Sequence, residues 1–106
     1  MNKKIKKINI LSSWYTIKYK ELDNAGGYCD YTSKELVIST VPTGCSDEIA
    51  IQERALRHEI IHAFFIESGL GENWEHKNIG QEETVVDWFA LQAPKIFKIY
   101  KELDIL

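Results

Sequence analysis

The spacing of apolar residues changes once along the chain, close to Asp47, and this change limits the possible folds more than any other feature. Before it, short runs of β-branched and aromatic residues alternate with polar residues or are separated by turn-forming residues. Such runs predict strands over residues 8–11, 14–20, 28–31 and 35–41. The last two are expected to form a hairpin.

A long helix is predicted directly after the strands. Ser46 or Asp47 can cap its N-terminus, and acidic residues occupy its first turn. The helical pattern runs to about Ser68 and is followed by Gly69, a residue that commonly ends helices. Apolar residues surround this segment on nearly all sides, which is typical of a central, buried helix.

A second helix is predicted to begin near Gln81, and Pro94 either ends or kinks it before a further helical stretch over 95–103. Because the strands precede the helices, the fold class is α+β. We expect a small N-terminal antiparallel sheet of about three strands, packed on the central helix and a C-terminal helix pair. With 44% hydrophobic residues and neither a repeat nor a linker, residues 1–106 read as a single domain.

The charge is unevenly distributed along the chain. Residues 1–20 contain six lysines and no acidic residue, and because the whole chain carries −3, residues 21–106 carry −9. A nucleic-acid-binding domain usually has a basic face on its folded body, so this distribution does not favour nucleic acid as a partner. No apolar run approaches the ~20 residues that span a bilayer, so no membrane partner is expected.

The N-terminal segment and the cysteines both bear on location. The basic start is interrupted by polar residues before an apolar signal-peptide core develops, which predicts a cytoplasmic protein. Cys29 and Cys45 lie 16 positions apart without a CxxC pattern, so a disulfide or a thiolate zinc site is not favoured.

The sequence HEIIH at residues 58–62 is an HExxH pattern inside the first predicted helix. Histidines four positions apart lie on one face of a helix, so His58 and His62 can bind one zinc ion. Glu59 projects toward the same side and can take a proton from a water molecule that the metal activates. The pattern therefore predicts a hydrolytic zinc site with Glu59 as general base. The structural alternative is a pair of core histidines satisfied by hydrogen bonds.

A catalytic zinc site needs a third protein ligand and one open position. The downstream glycine and histidine of the longer HExxHxxGxxH pattern are absent, since Phe65 and Ser68 occupy those positions. Glu83, at the start of the second helix, is the predicted third ligand, and Glu82 competes with it. Asp87, one turn after Glu83, is predicted to accept the outer N–H of a ligand histidine. Acidic residues that merely complement the helix dipole are the alternative.

HEIIH, followed after a loop by EETVVDWFA, resembles the gluzincin metallopeptidases and, more narrowly, the small ImmA/IrrE-type metallopeptidases of phages and prophages. The second motif of that family is a glutamate, then a small residue with Asn or Asp, then Phe-Ala. Glu83, Val86-Asp87 and Phe89-Ala90 stand in those places. The resemblance covers about residues 35–93. It implies a compact sheet-and-helix fold, one zinc and, in some members, cleavage of a repressor protein. The chain is close in size to the minimal gluzincins, without an evident helix-turn-helix.

Other side chains are weaker candidates for the site. His76, in the loop between the two motif helices, is a candidate oxyanion stabiliser, with simple exposure as the alternative. Tyr28 or Tyr31 could donate to the oxyanion, although packing is the better explanation of both. Cys45 could occupy the open zinc position and keep the enzyme latent.

We therefore expect a small cytoplasmic zinc metallopeptidase that acts on a protein or peptide, such as a repressor or host protein. A substrate peptide is expected to pair with the sheet near residues 35–41. The rival prediction is a catalytically silent, zinc-stabilised protein-binding module. A zinc-free structural domain is the third.

Overall fold

The computed structural model describes residues 1–70 and 81–106, with the backbone alone at positions 81–84, 86, 87 and 90. Four strands precede two helices in this part of the chain, which confirms the α+β class. The strands are β1 (Lys7–Ile10), β2 (Ser13–Lys20), β3 (Gly27–Asp30) and β4 (Glu35–Ser39), and the helices are α1 (Glu48–Glu67) and α2 (Gln81–Glu102). Neither of these helices combines the length and the apolar character needed to cross a bilayer.

The sheet has four strands in the order β1-β2-β4-β3, one more than expected. β1 and β2 are antiparallel, as are β3 and β4, but β2 and β4 are parallel, with Thr16 opposite Glu35. The sheet is therefore mixed rather than antiparallel. β4 takes the interior position because Leu36, Val37 and Ile38 are all buried, so this strand is apolar on both faces, whereas β3 is only half-buried.

The interior position of β4 bears on the predicted place of peptide addition. β4 already has a hydrogen-bonded neighbour on each side, so the prediction that a peptide pairs with residues 35–41 is wrong. Among the strands of residues 1–70 and 81–106, β1 and β3 form the two edges of the sheet.

Turn chemistry sets the register of both hairpins. The β1–β2 loop is Leu11-Ser12, and both residues have positive φ, of 51° and 76°, as in the two-residue turns that match strand twist. In the β3–β4 loop, the Asp30 carboxylate accepts hydrogen bonds from the backbone of Thr32 and Ser33. These local bonds hold β3 against β4.

One hydrophobic core joins one face of the sheet to both helices. The sheet contributes alternate apolar side chains and the helices contribute the apolar positions that face it. Fully buried members from the sheet are Ile10, Tyr15, Leu36 and Ile38, and from the helices and the C-terminal segment Leu56, Ile60, Phe64, Ile96, Leu103 and Ile105. Their burial holds α1 across the sheet.

Helix α1 begins and ends where the sequence predicts. Asp47 is its N-cap, with a carboxylate oxygen that accepts from the backbone N–H of Ala50 at 3.0 Å, and Gly69 follows its end with φ of 81°. The helix is buried on one side rather than all round, since Ile49 and Ile51 are 47% and 37% exposed. A face of the HExxH helix therefore remains accessible.

Helix α2 is continuous, so the predicted C-terminal pair is a single helix with Pro94 inside it. Pro94 is exposed, and the residues that follow it, Ile96, Ile99 and Tyr100, are buried in the core. Packing of these residues maintains the helix across a proline that removes one backbone hydrogen bond.

Candidate metal centre

The two histidines of the HExxH pattern lie side by side on the accessible face of α1. The Nε2 atoms of His58 and His62 are 3.1 Å apart, and the ring centroids are separated by 4.8 Å. Both side chains are exposed, so the alternative of two histidines satisfied inside the core is not what the structure has. In the absence of a cation, the same distance suits a hydrogen bond from one imidazole to the other.

The separation of the two Nε2 atoms also fits one zinc ion. With Zn–N bonds of about 2.0–2.1 Å, nitrogens 3.1 Å apart subtend an angle of roughly 100° at the metal, close to a tetrahedral angle. Among the described side chains, no third histidine, cysteine, aspartate or glutamate completes a metal-binding group with this pair. The described part of the chain thus supplies two imidazole nitrogens at a spacing that suits one zinc ion.

Glu59 lies next to the imidazole pair but, unlike it, is buried, with 6% of its surface exposed. Burial raises the pKa of its carboxyl group above the ordinary value, and the nearby charges of His58 and His62 act in the opposite direction. A raised pKa makes this carboxylate a better proton acceptor than an exposed glutamate.

Glu59 is reached from solvent through an open cleft of about 350 Å³. The cleft lies between α1 and the start of β3, and its described lining includes His58, Glu59, Arg54 and Gly27. His58 and the buried carboxylate therefore open onto a common space large enough for part of a peptide, with the His62 imidazole next to His58.

Sequence reasoning missed two residues of this cleft. Arg54 precedes His58 by one turn and brings a permanent positive charge to the same face; its i, i+4 spacing was the available signal. Gly27 allows β3 to pack closely on β4, because a Cβ there would lie 2.7 Å from the carbonyl oxygen of Val37; Cγ of Glu59 on α1 would be 3.4 Å away, an ordinary contact. No pattern in the sequence distinguishes this glycine from its neighbour Gly26.

The predicted third ligand and its neighbours are not described at the side-chain level. Glu83, its competitor Glu82 and Asp87 belong to the first turns of α2, but their side chains lie outside the described part of the chain. His76 lies outside the described residues altogether. The predictions made for these four residues remain predictions.

Ring contacts nevertheless connect the first half of α2 to the imidazole pair. The Trp88 indole packs on Phe65 with centroids 4.6 Å apart, and Phe65 in turn contacts the His62 ring at 6.5 Å. The Trp88 Nε1–H also donates to Ser68 Oγ at 2.7 Å. The helix that carries Glu83 therefore reaches α1 within a turn of His62.

The two tyrosine candidates do not line the described part of the cleft beside Glu59. Tyr28 lies on the face of the sheet opposite Glu59, because β3 directs Gly27 and Cys29 toward α1, and its ring lies under Lys20. Tyr31 is exposed beyond the end of β3. Neither tyrosine is among the described lining residues of the cleft, so the described geometry gives their predicted oxyanion role no support.

Neither thiol joins the imidazole pair among the described residues. Burial is the main cause that raises the pKa of the Cys29 thiol, to about 11, which makes it a weak ligand and nucleophile. Cys45 is exposed before α1, with its backbone N–H bonded to Glu48 in the first turn of the helix, whereas His58 lies about three turns further along. The latency role predicted for Cys45 therefore has no support in the geometry.

The C-terminal end of α1 is fastened to the sheet by one carboxylate. Glu67 accepts hydrogen bonds of 2.6 Å from Ser13 Oγ and from the Tyr15 hydroxyl, and it pairs with the Lys34 ammonium at 2.5 Å. Burial alone would raise the pKa of Glu67, but the hydrogen bonds from Lys34, Ser13 and Tyr15 outweigh it and hold the pKa below its ordinary value. This network fixes the end of the helix that carries the histidines.

Comparisons with known proteins assign no family to this chain. No protein-family model matches the sequence, and no curated protein and no solved structure is significantly similar to it. The function must therefore be argued from the site itself.

Proposed function

We propose that this chain is a minimal HExxH zinc metallopeptidase that hydrolyses peptide bonds. The observation that carries the proposal is the His58–His62 pair, with its Nε2 atoms 3.1 Å apart, beside the buried carboxylate of Glu59, which shares an open cleft with His58. The resemblance of HEIIH and EETVVDWFA to phage and prophage metallopeptidases supports the same activity. It also supports a cytoplasmic setting and a repressor or host protein as substrate.

The residues have separate roles in the proposed reaction. Zinc, when bound by His58 and His62, supplies the Lewis acidity that makes water acidic and a peptide carbonyl electrophilic. Glu59 accepts a proton from the attacking water at its carboxylate and passes it to the nitrogen of the leaving amine. Arg54 offers a positive charge to an anionic group of the substrate.

Glu83 is proposed as the third ligand, with Asp87 as the residue that orients a ligand imidazole. The contacts of Trp88 with Phe65, and of Phe65 with His62, support this assignment because they bring the first half of α2 to the imidazole pair. Glu82 is the competing ligand, one position away on the same turn. A carboxylate ligand leaves the fourth zinc position open for substrate, as a hydrolase requires.

The substrate is proposed to bind in extended form along β3. This strand is a free edge of the sheet and begins at Gly27, which lines the cleft beside Glu59. Backbone pairing with β3 would place a peptide alongside the imidazole pair without requiring a particular sequence. A peptide N-methylated at alternate positions is expected to be cleaved more slowly.

The test combines metal content with turnover. Protein purified without added metal is expected to contain about one zinc per chain, which His62→Ala and Glu83→Ala each lose. Glu59→Gln is expected to keep the zinc and the fold but to lose peptide hydrolysis by at least about 10²-fold, since the proton acceptor is gone. Glu53→Gln, on the same helix but outside the cleft lining, is the matched control and is expected to retain full rate.

The same experiment separates the rival functions. A zinc-stabilised binding module would contain zinc, and Glu59→Gln would change nothing measurable. A zinc-free structural domain would contain no metal and take none up at micromolar concentration. Either result would exclude the peptidase. Zinc retained in Glu83→Ala but lost in Glu82→Ala would keep the peptidase and change the third ligand.

A further inference from the structure

A second cleft, of about 540 Å³, lies at the other edge of the sheet, between β1 and the C-terminal half of α2. Its floor is apolar and includes Phe64 and Ile99, both buried. It shares no described lining residue with the cleft beside Glu59. This β1 cleft is therefore separate from the proposed active site.

The free edge of β1 faces this cleft with unused backbone groups. The Lys6 carbonyl accepts a hydrogen bond from the N–H of Ile17. In an antiparallel pair only every second residue bonds to the neighbouring strand, so the residues that bond to β2 alternate along the chain from Lys6. The peptide groups of Lys7 and Asn9 consequently point away from β2, and both residues line the cleft. Within residues 1–70 and 81–106, these groups have no backbone partner. Such an edge can accept an additional strand.

The charge around the cleft is strongly positive. Lys7, Lys95 and Lys98 line it against a single acidic residue, Glu102. None of these three lysines takes part in an ion pair within the described part of the chain. A second copy of the chain would bring more lysines to the same edge, so charge opposes self-pairing there. Negative charge on a partner is what complements this cleft.

One large aromatic side chain stands exposed beside these lysines. Trp14 is 62% exposed and lies opposite Asn9 in the β1–β2 pair, at the rim of the cleft. Tryptophan is enriched where proteins bind partners, because it buries a large area with little loss of side-chain freedom. A strand added to β1 would cover part of this ring.

We propose that the β1 cleft binds an extended peptide segment that carries acidic side chains and pairs through its backbone with the edge of β1. The unused peptide groups of Lys7 and Asn9 supply backbone hydrogen bonds, and Lys95 and Lys98 supply the attraction for carboxylates. A nucleic-acid strand would satisfy the lysines but has no alternating N–H and C=O groups to pair with the edge. The observations therefore favour a peptide.

Binding can be measured with a capped, fluorescently labelled peptide of about eight residues that alternates glutamate and valine, mixed with the full chain. Anisotropy is expected to show saturable binding that weakens as salt rises. Lys98→Glu should weaken binding about fivefold or more through charge reversal at the cleft. Lys101→Glu is the matched control, because it makes the same change on the same helix outside the cleft lining and should leave binding within about twofold.

Backbone pairing is tested by N-methylation of alternate residues of the same peptide. The N-methylated peptide should bind at least about tenfold more weakly, and the unmodified peptide should shift the amide resonances of Lys7 and Asn9. Binding that is indifferent to N-methylation, or equal in Lys98→Glu and Lys101→Glu, would overturn the proposal. So would absence of binding at millimolar peptide, or tighter binding of oligothymidylate with the same dependence on Lys98, which would indicate a nucleic-acid surface.

Discussion

At the scale of single residues, the centre depends on positions where side-chain size is decisive, and Gly27 is the clearest of them. A Cβ at Gly27 would lie 2.7 Å from the Val37 carbonyl oxygen, which belongs to the backbone of the neighbouring strand and cannot move aside alone. Gly27→Ala is therefore expected to displace β3 and to lower the free energy of unfolding by about 1–3 kcal/mol. Urea denaturation gives this number directly.

The neighbouring glycine supplies the control for that change. A Cβ at Gly26 would have no atom within 4 Å, so Gly26→Ala should leave stability unchanged or raise it by a few tenths of a kcal/mol. Equal unfolding midpoints for the two variants would mean that β3 is not packed as closely as the Val37 contact requires. Loss of stability confined to Gly27→Ala would confirm the close approach.

Some residues of the candidate site could be predicted from the sequence, and others could not. The HExxH spacing fixes the relative positions of His58 and His62, because a helix has only one geometry, and the structure places them on one face as predicted. Arg54 and Gly27 were missed because their importance depends on tertiary packing. It is the position of β3 beside α1 that brings both residues to the cleft. The face of the sheet that Tyr28 occupies was equally hard to predict. A shift of one residue in strand register moves a side chain to the opposite face.

At the scale of elements, α2 contains an interior proline whose cost can be measured. Pro94 is exposed, so replacing it removes little packing, and Pro94→Ala restores the backbone N–H that can bond to the carbonyl four residues earlier. The helix is expected to gain roughly 3 kcal/mol in propensity, of which about 1 kcal/mol is lost because the unfolded chain becomes more flexible. A net gain of about 2 kcal/mol should appear in thermal or urea unfolding.

Lys95→Ala is the reference for Pro94→Ala, since it changes an exposed neighbour in the same helix without touching the backbone. It should alter stability by no more than about 0.5 kcal/mol. If Pro94→Ala gains no more than this, the helix accommodates its proline without strain.

Elements were predicted better than their arrangement. Caps and turn residues marked the ends of α1 closely, because Asp47 and Gly69 act through local bonds and local backbone conformation. The parallel pairing of β2 with β4 was not foreseen, since it depends on which strand can be buried on both faces. The sequence predicts a helix pair divided at Pro94, whereas α2 is continuous, because packing downstream of a proline decides whether the helix continues through it.

At the scale of the whole molecule, Glu67 links α1 to strand β2 and to the β3–β4 turn, so its titration is expected to shape stability in acid. Its pKa lies below the ordinary value, which means that its contribution is fully present above the unfolded-state pKa and is lost as the pH falls through the folded-state pKa. The free energy of unfolding should therefore decline as the pH drops below about 4.5, the region in which glutamates of unfolded chains titrate.

Glu67→Gln tests this linkage. The variant should lose about 1–2 kcal/mol near neutral pH, because the Lys34 ammonium loses its charged partner, and its stability should vary less with pH in acid. Glu21→Gln, at an exposed position, is the comparison and should retain the parent's dependence on pH. Parallel curves for Glu67→Gln and the parent protein would show that another group controls acid unfolding.

The parallel pairing of β2 with β4 has a consequence for the chain while it is being synthesised. The β1–β2 hairpin can close as soon as it leaves the ribosome, but the second edge of β2 has no partner until β4 arrives, after β3 and its turn. During that interval the nascent chain presents an open strand that could pair with another chain. Lys18 and Lys20 lie on that strand. Their positive charges repel the same strand of a second nascent chain, which disfavours aggregation during synthesis.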